Sequence, residues 1–255
     1  MGCGGIILVG IIALVFGINP LSLIGVIDGG GGAMPQAPVT NAPPAANDAG
    51  SEFMSRVLGD TEMVWERLFA EQGARYAAPT LVLFDGRVAS ACGMNSSATG
   101  PFYCPPDQKI YIDLSFSREL QRFGAPGDFA MAYVVAHEVG HHIQNLTGTA
   151  DQVRNLQRRL SQRESNQLSV GMELQADCYA GVWAHHAERE RDVLEDGEIE
   201  EGLRAAAAVG DDHLMKQAGQ PVQPERFTHG TSAQRMEWFK RGFQTGRIDA
   251  CDTFN

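Results

Sequence analysis

Residues 128–136, Asp-Phe-Ala-Met-Ala-Tyr-Val-Val-Ala, are apolar at every position after the first, and Val139 and Ile143 extend the pattern. A segment apolar all round its helical wheel predicts a helix buried in a domain core. Gly127 breaks the chain before it, and Asp128 stands where an N-cap belongs. Upstream, 51–72 reads as a helix that turns Phe53, Val57, Val64, Leu68 and Phe69 inward. Strand-like runs follow at 80–84, 88–91 and 109–113; the turn residues Pro105-Pro-Asp-Gln108 predict a hairpin between 102–104 and 109–113. Beyond Asp113 the pattern is mostly helical. It includes an Ala-rich helix at 199–209 and a capping box, Thr231-Ser-Ala-Gln234, opening a helix that carries Met236, Trp238 and Phe239. Strands first and helices after predict an α+β domain, mostly helical with a small N-terminal sheet.

Two segments precede that domain. Residues 4–27 are apolar, interrupted only by Asn19-Pro20 and Ser22. They are long enough for one transmembrane helix, which takes about 20 residues. A cleaved signal peptide fits less well, because no basic n-region and no A-x-A site is present. Residues 28–50 are rich in Gly, Pro and Ala and predict a flexible tether. The organisation is therefore an anchor at 4–27, a linker at 28–50 and a domain at 51–255.

One stretch of the buried helix carries chemistry that a core does not need. His137-Glu138-Val139-Gly140-His141 reads H-E-x-x-H. Residues four apart share a helix face, so His137 and His141 can turn both imidazoles to one metal ion, and Glu138, one residue over, can serve as general base for a water at that metal. Buried polar groups are costly without compensation, and a bound Zn²⁺ supplies it. A catalytic zinc takes three protein ligands and keeps one position open. Glu173 and Asp177, again four apart among Leu174, Ala176, Tyr179 and Val182, offer the third. With Glu173 as ligand, Asp177 can accept the free ring N–H of a ligand histidine and fix its tautomer. Asp177 as the ligand in place of Glu173 is the alternative, since either carboxylate suits zinc.

H-E-V-G-H-H-I-Q-N at 137–145, E-L-Q-A-D-C-Y-A-G-V-W at 173–183 and H-G-T-S-A-Q-R at 229–235 resemble the bacterial, membrane-anchored family of neutral zinc metallopeptidases. G-P-F-Y-C-P-P-D at 100–107 and C-D-T-F at 251–254 extend the likeness over nearly all of 51–255. The ligand logic is similar to that of the glutamate zincins, of which thermolysin is the familiar member. The resemblance implies a zincin-like fold, His137, His141 and Glu173 as ligands and Glu138 as base; the expected function is a zinc peptidase acting on a polypeptide substrate. In zincin-like folds extended peptide adds to a strand edge near the metal, and by that analogy Lys109–Asp113 is the candidate edge. His229, on a loop held by the Thr231 cap, is a candidate donor to the developing oxyanion; its alternative is a local cap. A zinc-binding scaffold without turnover and a hydrolase of non-peptide amides are the rival functions.

The remaining features set compartment and partners. Cys92, Cys104, Cys178 and Cys251 form an even set without C-x-x-C spacing. Cys92 and Cys104 flank a turn-rich segment and pair; Cys178 with Cys251 follows by elimination. Two disulfides place the domain on the periplasmic or extracellular side of the membrane. The net charge of −11 argues against nucleic acid. The run Arg154, Arg158, Arg159 and Arg163, interleaved with Val153, Leu156 and Leu160, reads as the solvated face of an amphipathic helix. Asp211 and Asp212 read as solvated acids, and His142, His185 and His186 as structural or exposed.

Overall fold

The computed structural model describes residues 49–254. The expected anchor at 4–27 and all but the end of the linker lie outside the described residues; among those described, no helix is long and apolar enough to cross a membrane. The architecture is α+β and mostly helical. Helix α1 (Ala49–Glu71) leads into strands β1 (Thr80–Phe84), β2 (Arg87–Ser90), β3 (Gly93–Ser96), β4 (Phe102–Cys104) and β5 (Lys109–Asp113). Helices α2 (Phe116–Arg122), α3 (Asp128–Leu146), α4 (Thr149–Gln157), α5 (Gln162–Arg191), α6 (Glu198–Ala208), α7 (Asp211–Gln217) and α8 (Ser232–Thr245) follow.

The sheet has the order β1-β5-β4, with β1 parallel to β5 and β4 antiparallel to it; the expected hairpin pairs Phe102 with Tyr111. The candidate edge strand is therefore corrected. Lys109–Asp113 is the central strand, paired with β1 along its length and with β4 over Lys109–Tyr111, and the edge that reaches the site is β4. The periodicity of an apolar strand does not distinguish centre from edge, since pairing partners lie far off in sequence. Strand β3, which pairs with β2, has no apolar alternation and was not legible.

Helix α3 runs through the core, with Tyr133, Val135 and Ile143 almost fully enclosed, and α5 crosses it. Capping boxes open α5 at Ser161 and Glu164 and α8 at Thr231 and Gln234. At the start of α3 the capping position is Gly127, and Asp128 is the first helical residue, where a carboxylate favours the helix dipole. Small residues set the crossings. A Cβ on Gly140 would lie 2.8 Å from Ala176 Cα, and one on Gly242 of α8 would overlap the Cys178 carbonyl oxygen of α5. Cys92–Cys104 and Cys178–Cys251 are disulfides; the second ties the C-terminal tail to α5.

The Arg-rich stretch is also corrected. It is not one amphipathic helix: α4 ends at Gln157, and Ser161 caps a new helix. Only Val153 turns inward, while Leu156 is 53% and Leu160 39% exposed. The Ser161–Glu164 capping box starts a separate helix, so the spacing of the leucines carries across a break in the backbone.

The Gly140–Ala176 contact yields a prediction. Gly140→Ala should destabilise the domain by about 1–3 kcal/mol, the usual cost of overpacking, read as a lower denaturant midpoint at unchanged slope.

Candidate metal centre

The crossing of α3 and α5 sets Glu173 opposite His137 and His141. Glu173 Oε2 lies 3.2 Å from His137 Nε2, and Oε1 lies 3.4 Å from His141 Nε2. One ligand atom from each of the three residues falls within 4.8 Å of the others. His137 and Glu138 are buried; Glu173 and His141 are partly open to a cavity of about 400 Å³, which all four line.

Each imidazole is held from behind at Nδ1. His137 Nδ1 is 2.8 Å from Asp177 Oδ1. Asp177 lies on that side of the ring, away from the Nε2 atoms that Glu173 faces. It is fully enclosed and also accepts from Tyr133 OH and, in a two-pronged contact, from Arg235: Nε to Oδ2 at 2.8 Å and Nη2 to Oδ1 at 2.9 Å. His141 Nδ1 is 2.9 Å from Gln144 Oε1. The orientation of that amide follows from its other end, since Gln144 Nε2 donates to Met172 O at 2.7 Å and to Gln175 Oε1 at 3.1 Å. Gln175 in turn donates to Cys251 O at 3.0 Å, so the disulfide-tied tail supports the second histidine. An acceptor at each Nδ1 holds a proton there, so each imidazole, on giving up its Nε2 proton, would present the Nε2 lone pair to a metal.

The charges are strongly coupled. Burial works against a charge on Asp177, but Arg235 and His137 outweigh it and hold the carboxyl below its ordinary range. Burial likewise opposes ionisation of Glu173, and His141 and His229 outweigh it. His137, for which burial disfavours the proton, is pushed up to about 9, chiefly by Asp177. Glu138 moves the other way from its neighbour carboxylates: burial raises it, and His141 and His137 offset only part of that. Its carboxylate makes no side-chain hydrogen bond among the described residues, which leaves it free to take up a proton.

His229 lines the same cavity, and a buried carboxylate positions it. Asp211 Oδ2 accepts from the backbone N–H of Thr228, His229 and Gly230 at 2.8, 2.7 and 3.0 Å, and Oδ1 lies 3.2 Å from His229 Nδ1. Asp211 is thus no solvated acid, which corrects the sequence expectation; Asp212 is half-buried and accepts from Ser232 N. His142 is structural, between Tyr103 OH and Ala77 O. His185 and His186 are half-buried and bond the carbonyls of Phe243 and Gly246. Tyr133, Gln144, Asp211 and Arg235 were missed as site residues. Arg235 and Gln144 had a weak signal, since both lie inside the quoted stretches 229–235 and 137–145; Tyr133 and Asp211 had none.

Two imidazoles, each held at Nδ1 with Nε2 turned toward one carboxylate, fit Zn²⁺ as a donor set once the metal takes the place of the Nε2 protons. Paired with Glu138, they have the donor arrangement of a glutamate zincin. The chain matches over residues 1–254 a family described as "Putative neutral zinc metallopeptidase", and it belongs to that family. It is 47% identical over 254 residues to the uncharacterized protein YpfJ of Escherichia coli, covering 99% of this chain and 87% of that one. To the uncharacterized protein Rv2575 of Mycobacterium tuberculosis it is 41% identical over 222 residues, 82% of this chain and 73% of that one. No solved structure matches it.

Two predictions follow from the geometry. His137→Ala, His141→Ala and Glu173→Ala should each abolish stoichiometric zinc, measured by elemental analysis; full occupancy in Glu173→Ala would move the third ligand to Asp177. Asp177→Asn and Gln144→Leu should each retain zinc but bind it roughly 10- to 100-fold more weakly in chelator competition, the usual loss when a ligand's orienting partner is removed.

Proposed function

We propose that this chain is a zinc-dependent peptidase, tethered by residues 4–27 to a membrane and acting on polypeptide at its periplasmic or extracellular side. The observation that carries the reading is the convergence of two braced Nε2 atoms and the Glu173 carboxylate at a cavity wall beside an unbonded Glu138. Zinc, when bound by His137, His141 and Glu173, supplies Lewis acidity that polarises a carbonyl and acidifies water.

The protein's own groups do the rest. Glu138, raised by burial, takes the proton of the attacking water and delivers it to the leaving amine. His229, braced by Asp211, stands in the cavity wall to donate an N–H toward the carbonyl oxygen as it gains charge. Arg235 and Tyr133 keep Asp177 anionic and His137 aligned. The apolar wall formed by Phe102, Phe116, Phe123 and Val134 excludes water around the scissile bond. Two disulfides support the compartment, because such bonds persist where the environment oxidises.

Glu138→Gln tests the reading. It should keep zinc and fold while losing at least about 100-fold in casein hydrolysis, since an amide cannot take the proton. Activity near that of the parent protein would remove Glu138 from the role of base. A zinc-loaded parent protein inert toward both casein and cell-wall material would favour the scaffold without turnover.

A further inference from the structure

We infer that the elbow joining α4 to α5 docks the domain on an anionic bilayer surface, an inference that rests on the proposed tether at 4–27. The elbow is open to solvent: every residue from 158 to 164 is exposed. It concentrates Arg154, Arg158, Arg159 and Arg163 in ten residues of a chain with net charge −11. The nearby acids are otherwise engaged. Asp151 pairs with Arg154, and Glu164 accepts from Ser161 N and Oγ in the cap of α5. Arg158, Arg159 and Arg163 have no ionic partner among the described residues, although Glu225 lines the same surface cleft as Arg163.

Charge alone would be an ordinary wetted surface. The second observation is the pair of leucines that helical spacing would have turned inward. Leu156 and Leu160 are exposed within the arginine cluster, the composition of a segment whose apolar side chains sink to the acyl boundary while its cations meet headgroups. The tether selects a bilayer as the occupant. Residues 28–48, even fully extended, would span at most about 70 Å, so the elbow meets the surface at an effective concentration in the millimolar range. At that concentration weak contacts suffice, each arginine strengthening attraction to an anionic surface roughly five-fold. Arg154 also lines the catalytic cavity; docking through this elbow brings the cavity's rim to the membrane and favours membrane-proximal segments of polypeptide as substrates.

The test uses the full chain in lipid nanodiscs, one set of phosphatidylcholine and one containing a third phosphatidylglycerol, with hydrogen exchange read across 154–163. Exchange should slow at least about ten-fold in the anionic discs alone. The triple variant Arg158→Glu, Arg159→Glu, Arg163→Glu should lose that protection, and Leu156→Ser with Leu160→Ser should lose most of it, with zinc content unchanged in both. Equal exchange in the two lipids overturns the inference, as does protection by a polyglutamate peptide without protection by anionic discs, which would assign the elbow to an acidic polypeptide. A chain that enters neither disc refutes the tether instead. Flotation with vesicles of the same two compositions then decides the elbow separately: binding only to the anionic vesicles supports docking, and binding to neither overturns it.

Discussion

Where α3 meets α5 there is no room for a methyl group on Gly140, and the rest of the site depends on that closeness. His137 and His141 share a face of α3 by helical spacing, but a third ligand has to come from another element. Glu173 reaches them because the Gly140–Ala176 contact lets two backbones approach nearly to touching. Ala176 precedes Asp177 directly, so the same contact seats the carboxylate behind His137. The packing that excludes a methyl group thus positions the groups that face each Nε2 and the one that braces Nδ1.

That arrangement puts several charges in a place where charge is expensive. Asp177 and Arg235 are almost completely enclosed. Buried ion pairs recover their desolvation cost only with good geometry and full hydrogen bonding, and they are weak evidence for stability in themselves. Here every Asp177 oxygen is engaged, and Arg235 also donates to Tyr133 OH and Val209 O. A hydrophobic core of the same volume would fold as well. What the network supplies is a fixed tautomer and a fixed ring plane at His137, which a metal centre requires and a core does not.

Helix α8 and the tail complete the enclosure. Arg235 comes from the first turns of α8, held close to α5 at Gly242 and Cys178, and the loop just before it presents His229. Cys251, locked to Cys178, offers its carbonyl to Gln175 and through Gln144 reaches His141. The two histidines are therefore supported by separate routes, one ionic through α8 and one through amides ending at the tail.

Local chemistry was legible from the chain by itself. The apolar run and the H-E-x-x-H spacing identify a buried helix with two imidazoles on one face, because helical periodicity is a short-range property. The capping box of α8 and the hairpin turn were readable for the same reason, and four cysteines admit few pairings. Tertiary structure alone decided what depends on distant partners. Lys109–Asp113 is a central strand because β1 lies beside it, and Asp211 is buried because the loop before α8 folds over it. Gln144 and Arg235 belong to the site because α5 brings their acceptors to them. Leu156 and Leu160 face outward because the helix that their spacing predicts breaks and restarts at Ser161. A side chain's neighbours along the chain set its conformation, but its burial, its charge partners and its role are set by elements that only folding brings together.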